Sequence, residues 1–164
     1  MTVEIVWGTG SGSEDTPLAA FDTALDDAGL HNYNLTRLSS ILPQGAEVVE
    51  TGALSAVYSV GTVIGVVLAR TRVDEDGTTV AAGLGWSTAE EGGVLMEATA
   101  TSVHECRDEI RRSLRDARKR RDWHWEDSGR FRVVEHEGDA GDTVVVAAVL
   151  GPLKRWDTQE VPRG

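Results

Sequence analysis

The sequence predicts an α+β fold in which two helices cover layered sheets of at least six strands. Three observations carry that reading: two segments repeat apolar residues at helical spacing, several others are runs of β-branched residues, and glycine-rich stretches punctuate them. The 164 residues are enough for one domain with a sizeable buried core.

The elements follow in order along the chain. Val3 to Trp7 reads as a short strand and Gly8-Thr9-Gly10-Ser11-Gly12 as a turn after it. A helix starts near Thr16-Pro17, with Thr16 as its cap and Pro17 at the first helical position. Leu18, Phe21, Leu25 and Ala28 form its expected buried stripe, and Gly29 closes it. Asn34 to Leu42 looks extended and stops at Pro43. Val57 to Ala69 is nearly all apolar, which predicts one or two buried strands bent at Gly61 and Gly65. Thr78 to Trp86 and Val94 to Thr99 continue the sheet. Val103, Cys106, Ile110, Leu114 and Ala117 then mark a second helix. Phe131 to His136 and Thr143 to Leu150 are the final strands, joined through Gly138-Asp139-Ala140-Gly141. Residues 1–150 are expected as a single domain, and 151–164, which lack periodicity, as a loose C-terminal tail.

Composition excludes several classes. Sixteen basic against 27 acidic residues give a net charge of −11, which opposes nonspecific binding to phosphates. The 40% hydrophobic content is that of a folded chain, and no apolar run approaches the roughly 20 residues that span a bilayer. No membrane association is expected, and MTVEIVWG lacks the features of a secretory signal. One cysteine, Cys106, cannot form an internal disulfide, so a cytoplasmic location is expected. Only Lys119 and Lys154 are lysines; with the excess of carboxylates this fits either a salt-adapted, halophilic protein or simply an acidic one.

Several motifs are weak on inspection. The third glycine position of G-x-G-x-x-G, counted from Gly8, falls on Ser13, which favours a structural turn over a dinucleotide site. Arg111 to Arg121 is concentrated and basic, but interleaved acids favour a solvated helix face over nucleic-acid binding. His104 with Cys106 and His124 with Glu126 lack a second pair at zinc spacing, so no metal is expected.

Two carboxylates and a serine pair are stronger candidates. Asp22 borders the buried stripe of the first helix, at i+4 from Leu18 and i−3 from Leu25. Glu97 lies within the apolar run Val94-Leu-Met-Glu-Ala98, where a charge is costly unless paired or protonated. If the segment around Ser39-Ser40 is extended, Asn34, Thr36, Leu38 and Ser40 share a face, bringing a side-chain amide near the Ser39–Ser40 peptide.

At these residues the chain resembles the pyruvoyl-dependent arginine decarboxylases. The resemblance is carried by Thr16-Pro-Leu-Ala-Ala-Phe-Asp22, Asn34-Leu-Thr-Arg-Leu-Ser-Ser-Ile-Leu-Pro43, Gly93-Val-Leu-Met-Glu97 and Val134-Glu-His-Glu137, in the family's order. Gln44, where the family often has a second proline, and the tail after Gly151 depart from the pattern. The resemblance implies an αββα sandwich of mainly antiparallel sheets with helices on the outer faces, assembled as a homotrimer or hexamer with pockets between subunits. It implies a proenzyme that cleaves itself between Ser39 and Ser40 into 1–39 and 40–164, Asn34 holding the scissile carbonyl. The cofactor would be a covalent pyruvoyl group derived from Ser40, replacing pyridoxal phosphate (PLP), with no metal. The implied substrate is arginine, with Asp22 pairing its guanidinium and Glu97 as general acid; the product is agmatine, a polyamine precursor. A decarboxylase of histidine or aspartate, or an uncleaved scaffold, are the alternatives.

Overall fold

The computed structural model describes residues 1–12 and 16–153. The strands are β1 (Thr2–Gly10), β2 (Asn34–Arg37), β3 (Ile41–Leu42), β4 (Glu47–Gly52), β5 (Val63–Arg72), β6 (Thr78–Ala89), β7 (Gly92–Ala100), β8 (Arg130–Gly138) and β9 (Thr143–Pro152). The helices are α1 (Pro17–Asp27) and α2 (Val103–Lys119). One sheet has the order β2-β5-β9-β1-β4, the other β3-β7-β6-β8. Pairing is antiparallel except for β1 with β4 and β2 with β5.

Three apolar layers make this a four-layered αββα sandwich. Between the sheets, Ile5, Val67 and Val146 meet Leu84, Trp86 and Leu95. Under α1, Ala24, Leu25 and Ala28 cover Val66, Val145 and Ala147. Under α2, Cys106, Ile110 and Leu114 cover Ala81, Val94 and Ala98. Strand β9 shows why its sequence is apolar at successive positions: Val144, Val146 and Ala148 face the other sheet, and Val145, Ala147 and Val149 face the α1 side. Each such side chain contributes about 1.5–3 kcal/mol when fully buried if it is valine-sized or larger.

Helix ends follow the sequence. Thr16 caps α1, its hydroxyl accepting from the Ala19 N–H at 3.1 Å, with proline at the helix start. Ser102 caps α2 in the same way through Glu105, and Arg118 and Lys119 occupy its last turn, where cations oppose the helix dipole.

Five expectations change. Gly8 to Gly10 is not a turn but the end of β1, because α1 lies directly on it: a Cβ on Gly8 would come within 2.2 Å of the Ala24 carbonyl oxygen, and one on Gly10 within 1.8 Å of that of Ala20. That close approach rotates α1 so that Ala20, Ala24, Leu25 and Ala28 are buried, while Leu18 is 71% exposed. The run from Val57 is strand only from Val63; Val57 is 90% exposed, in a segment fastened by side-chain and backbone hydrogen bonds rather than by a sheet. The stretch Asn34 to Leu42 divides into β2 and β3, which belong to different sheets. Strand β9 also takes in Gly151 and Pro152, which pair with Gly65 and Ile64; the expected tail beyond residue 153 lies outside the described residues.

Candidate active site

The division between β2 and β3 creates the site. The Leu38 N–H donates to the Val66 carbonyl of the five-stranded sheet at 2.9 Å. Two residues later the Ser40 carbonyl accepts from the Leu95 N–H of the four-stranded sheet, also at 2.9 Å. The chain therefore crosses between the sheets through Leu38, Ser39 and Ser40, with little slack. Ser40 takes up the geometry with φ at +60°, the one positive φ of a non-glycine residue among the described residues. That conformation costs a side chain with a Cβ roughly 1–2 kcal/mol.

Glu97 is the partner the crossing presents to Ser40. It lies opposite Leu84 in the β6–β7 ladder, two residues beyond buried Leu95. The Ser40 hydroxyl donates to Glu97 Oε2 at 3.3 Å. Expected burial of Glu97 is not found: its side chain is exposed. The reason is the brevity of β3, which pairs only with Val94 and Gly93 and leaves the rest of that β7 edge open. Glu97 thus lines a cleft of about 260 Å³ between the sheet edges, together with Arg37, Leu68, Arg70, Thr99 and Glu109. Arg37 Nη2 donates to the Leu68 carbonyl, and the Arg70 guanidinium stacks 3.8 Å from the Phe21 ring centroid.

The other two candidates stand apart. Asn34 is exposed at the start of β2, and its Nδ2 donates to the Gly61 carbonyl at 2.8 Å. The shared face expected for Asn34 and Ser40 does not exist, because a single pleat cannot continue across two sheets. Asp22 is exposed on α1, with no ion-pair partner among the described residues. Within one chain, Ser39, Ser40 and Glu97 come together, and Asn34 and Asp22 do not join them.

Two buried carboxylates that sequence reasoning missed fix the surrounding backbone. Glu4 accepts from the Thr51 hydroxyl at 3.0 Å and from the Ser55 N–H and hydroxyl, both at 2.8 Å. Burial raises its carboxyl, but the bonds from Ser55 and Thr51 outweigh burial and hold it below the usual glutamate range. It fastens the segment that continues to Gly61 and hence to Asn34. Asp142, after the Gly138–Gly141 turn, accepts from the Gly12 N–H at 2.5 Å, the His136 ring at 2.7 Å and the Asp139 N–H at 3.2 Å. This joins the β8–β9 hairpin to the exit of β1, which leads to α1 and Asp22. A signal existed in Val134-Glu-His-Glu137, but the partner of His136 depends on the hairpin register.

Asp142 gives the fold an acid-sensitive tie. Burial raises its carboxyl, yet the Gly12 N–H, His136 and the Asp139 N–H together hold it below the usual aspartate range. A lowered folded value means that the stabilisation is complete above the unfolded value and is lost as pH falls through the folded one. Asp142→Asn is expected to melt lower at neutral pH, with its deficit narrowing below about pH 4. Thermal melts of both proteins across that range check it; a constant deficit contradicts the assignment.

Residues 2–155 match the profile of a family described as pyruvoyl-dependent arginine decarboxylase. Curated relatives carrying that name include a Halobacterium salinarum protein, 34% identical over 150 residues that cover 89% of this chain and 92% of the relative. A Pyrococcus horikoshii relative is 34% identical over 140 residues, covering 82% and 85%. One from Methanococcus vannielii is 34% identical over 126 residues, covering 74% and 73%. The coverage takes in the Ser39-Ser40 crossing, Glu97 and the αββα frame around them, and the chain belongs to the pyruvoyl-dependent arginine decarboxylase family.

Proposed function

We propose that the chain is a proenzyme that cleaves itself between Ser39 and Ser40 and then decarboxylates L-arginine to agmatine and carbon dioxide. The observation that carries this reading is the strained Ser40, held at φ +60° with its hydroxyl on a carboxylate. Strain at a serine peptide raises the ground state that an N-to-O acyl shift relieves. The Ser40 hydroxyl adds to the Ser39 carbonyl carbon, the C–N bond breaks, and an ester forms. Elimination across Cα–Cβ of residue 40 releases the Ser39 carboxylate and leaves a dehydroalanine. Its imine tautomer takes up one water and loses ammonia, which leaves a ketone at the start of 40–164.

The fold suits that scission. After it, 1–39 remains bound through β1 and β2 in one sheet, and 40–164 begins on β3, paired to β7 in the other. Backbone pairing to Leu95 would hold the pyruvoyl-bearing residue 40 beside Glu97. When formed, the group supplies an electron-withdrawing carbonyl that accepts the electrons left when carbon dioxide departs. Glu97 is then the general acid that returns a proton to the substrate α-carbon. Asp22 pairs with the substrate guanidinium, where bidentate bonding fixes orientation.

Asn34 and Asp22 reach Ser40 and Glu97 from a neighbouring copy in a homotrimer or pair of trimers, with Asn34 steadying the Ser39 carbonyl. Their exposure supports this, as do the exposed Val57, Val60 and Val63 near Asn34, apolar surface that such an assembly would cover. The free, buried Cys106 suits a reducing cytoplasm. Agmatine would feed polyamine-type biosynthesis. Residues 1–150 act as one catalytic domain, adapted to salt; the melting temperature is expected to rise as potassium chloride screens the −11 surface.

Denaturing mass spectrometry coupled to product analysis tests the reading. The expected result is two fragments, 1–39 and 40–164, with agmatine formed from arginine and no product from histidine, lysine or aspartate. One unbroken 17.6 kDa chain after long incubation, or carbon dioxide from aspartate rather than arginine, overturns it.

A further inference from the structure

We propose that the C-terminal end of α2 and the Trp123–Trp125 segment form a binding site for a small polyanion built on a phosphate chain. A cavity of about 370 Å³, within the usual range for small-ligand sites, is lined by Arg115, Arg118, Lys119, Arg121 and Trp125. Four cations thus share one wall, with no carboxylate among the lining residues, in a chain whose acidic residues outnumber basic ones by 27 to 16. Like charges brought together repel unless an anion sits among them.

The cations are also arranged. The Arg118 guanidinium lies 5.4 Å from the Trp125 ring and that of Arg121 5.4 Å from the Trp123 ring. The two indoles are themselves 5.4 Å apart. Arg121 Nη1 donates to the Ala117 carbonyl at 2.8 Å, fixing that side chain across the helix end. Guanidiniums placed over indole rings, that of Arg121 also anchored by its hydrogen bond, lose less freedom on binding and present planar forks that suit phosphate oxygens. Arg118 Nε is the one buried side-chain polar atom without a hydrogen bond among the described residues. Of the four, only Arg115 has a carboxylate within 4.0 Å among those residues, the exposed Asp116 at 3.7 Å.

Compensation of the helix dipole explains Arg118 and Lys119 in the last turn. It does not explain Arg121, which lies beyond the Arg120 cap, or the paired indoles beneath the guanidiniums. A long polyanion would run over the acidic remainder of the surface. A compact one senses mainly charges within about 10 Å at 0.1 M salt. The observations therefore favour a small ligand over nucleic acid. Glu97 lines a different cleft, and neither it nor Ser40 is among the residues lining this one, so this site stands or falls independently of the proposed activity.

Calorimetric titration of the full chain with ATP, inorganic tripolyphosphate and a short single-stranded oligoribonucleotide tests it. ATP or tripolyphosphate is expected to bind once per chain, in the micromolar range. Arg118→Gln with Arg121→Gln should weaken this at least about tenfold, as should the milder surface change Arg115→Glu. Arg107→Gln, at the other end of α2, should leave it unchanged. ATP binding more tightly than tripolyphosphate, with the advantage lost in Trp125→Ala, supports a nucleotide; equal binding unaffected by Trp125→Ala supports the phosphate chain alone. Absence of binding by both phosphate compounds, equal weakening by Arg107→Gln, or tighter binding of the oligoribonucleotide would overturn the proposal.

Discussion

Ser40→Ala is expected to remain a single uncleaved chain with no detectable decarboxylation. In the proposed processing, the variant lacks the hydroxyl that would start the acyl shift and with it the source of the ketone. Folding should survive, because the Ser40 carbonyl is held by the Leu95 N–H, and the next two residues, Ile41 and Leu42, by pairing with Val94 and Gly93, rather than by the side chain. The hydroxyl contributes one exposed 3.3 Å hydrogen bond, whose loss is worth about 1 kcal/mol or less. Denaturing mass spectrometry and thermal melting separate the two effects. Cleavage of Ser40→Ala, or an arginine decarboxylase activity comparable to the parent, would remove Ser40 from its role.

Glu97→Gln is expected to be cleaved yet to turn over about 10²–10⁴-fold more slowly, the usual loss when a positioned proton donor is removed. The amide keeps an oxygen that can accept from the Ser40 hydroxyl, so the ground-state geometry at the crossing should persist. It cannot deliver a carboxylic proton. The fall should therefore appear in kcat more than in KM, since Asp22 is assigned to the substrate guanidinium. Full turnover in Glu97→Gln would exclude the general-acid assignment. Failure of the variant to cleave would place Glu97 in processing as well, for which the same 3.3 Å contact gives a direct route.

Local patterns in the sequence determined much of this protein. The Thr16-Pro17 start of α1, the stripe Cys106, Ile110, Leu114 and Ala117 of α2, and the apolar run of β9 all follow from spacing that nearest neighbours enforce. The motif order likewise identified the family. Burial was less legible: Leu18 looked like core and is exposed, since the approach of α1 to Gly8 and Gly10 sets its rotation and cannot be read from the helix alone.

Only the tertiary structure decided what faces what. Ser40 and Glu97 are 57 residues apart in the chain, and their contact depends on a strand leaving one sheet for the other. Periodicity within Asn34–Leu42 predicts continuation, because an alternating pattern carries no record of which sheet receives it. The same limit hid the exposure of Glu97, which follows from the shortness of β3, and the Asp142–His136 tie, which follows from hairpin register. Side-chain chemistry is written residue by residue, whereas strain, open edges and long-range hydrogen bonds arise only when the sheets are assembled.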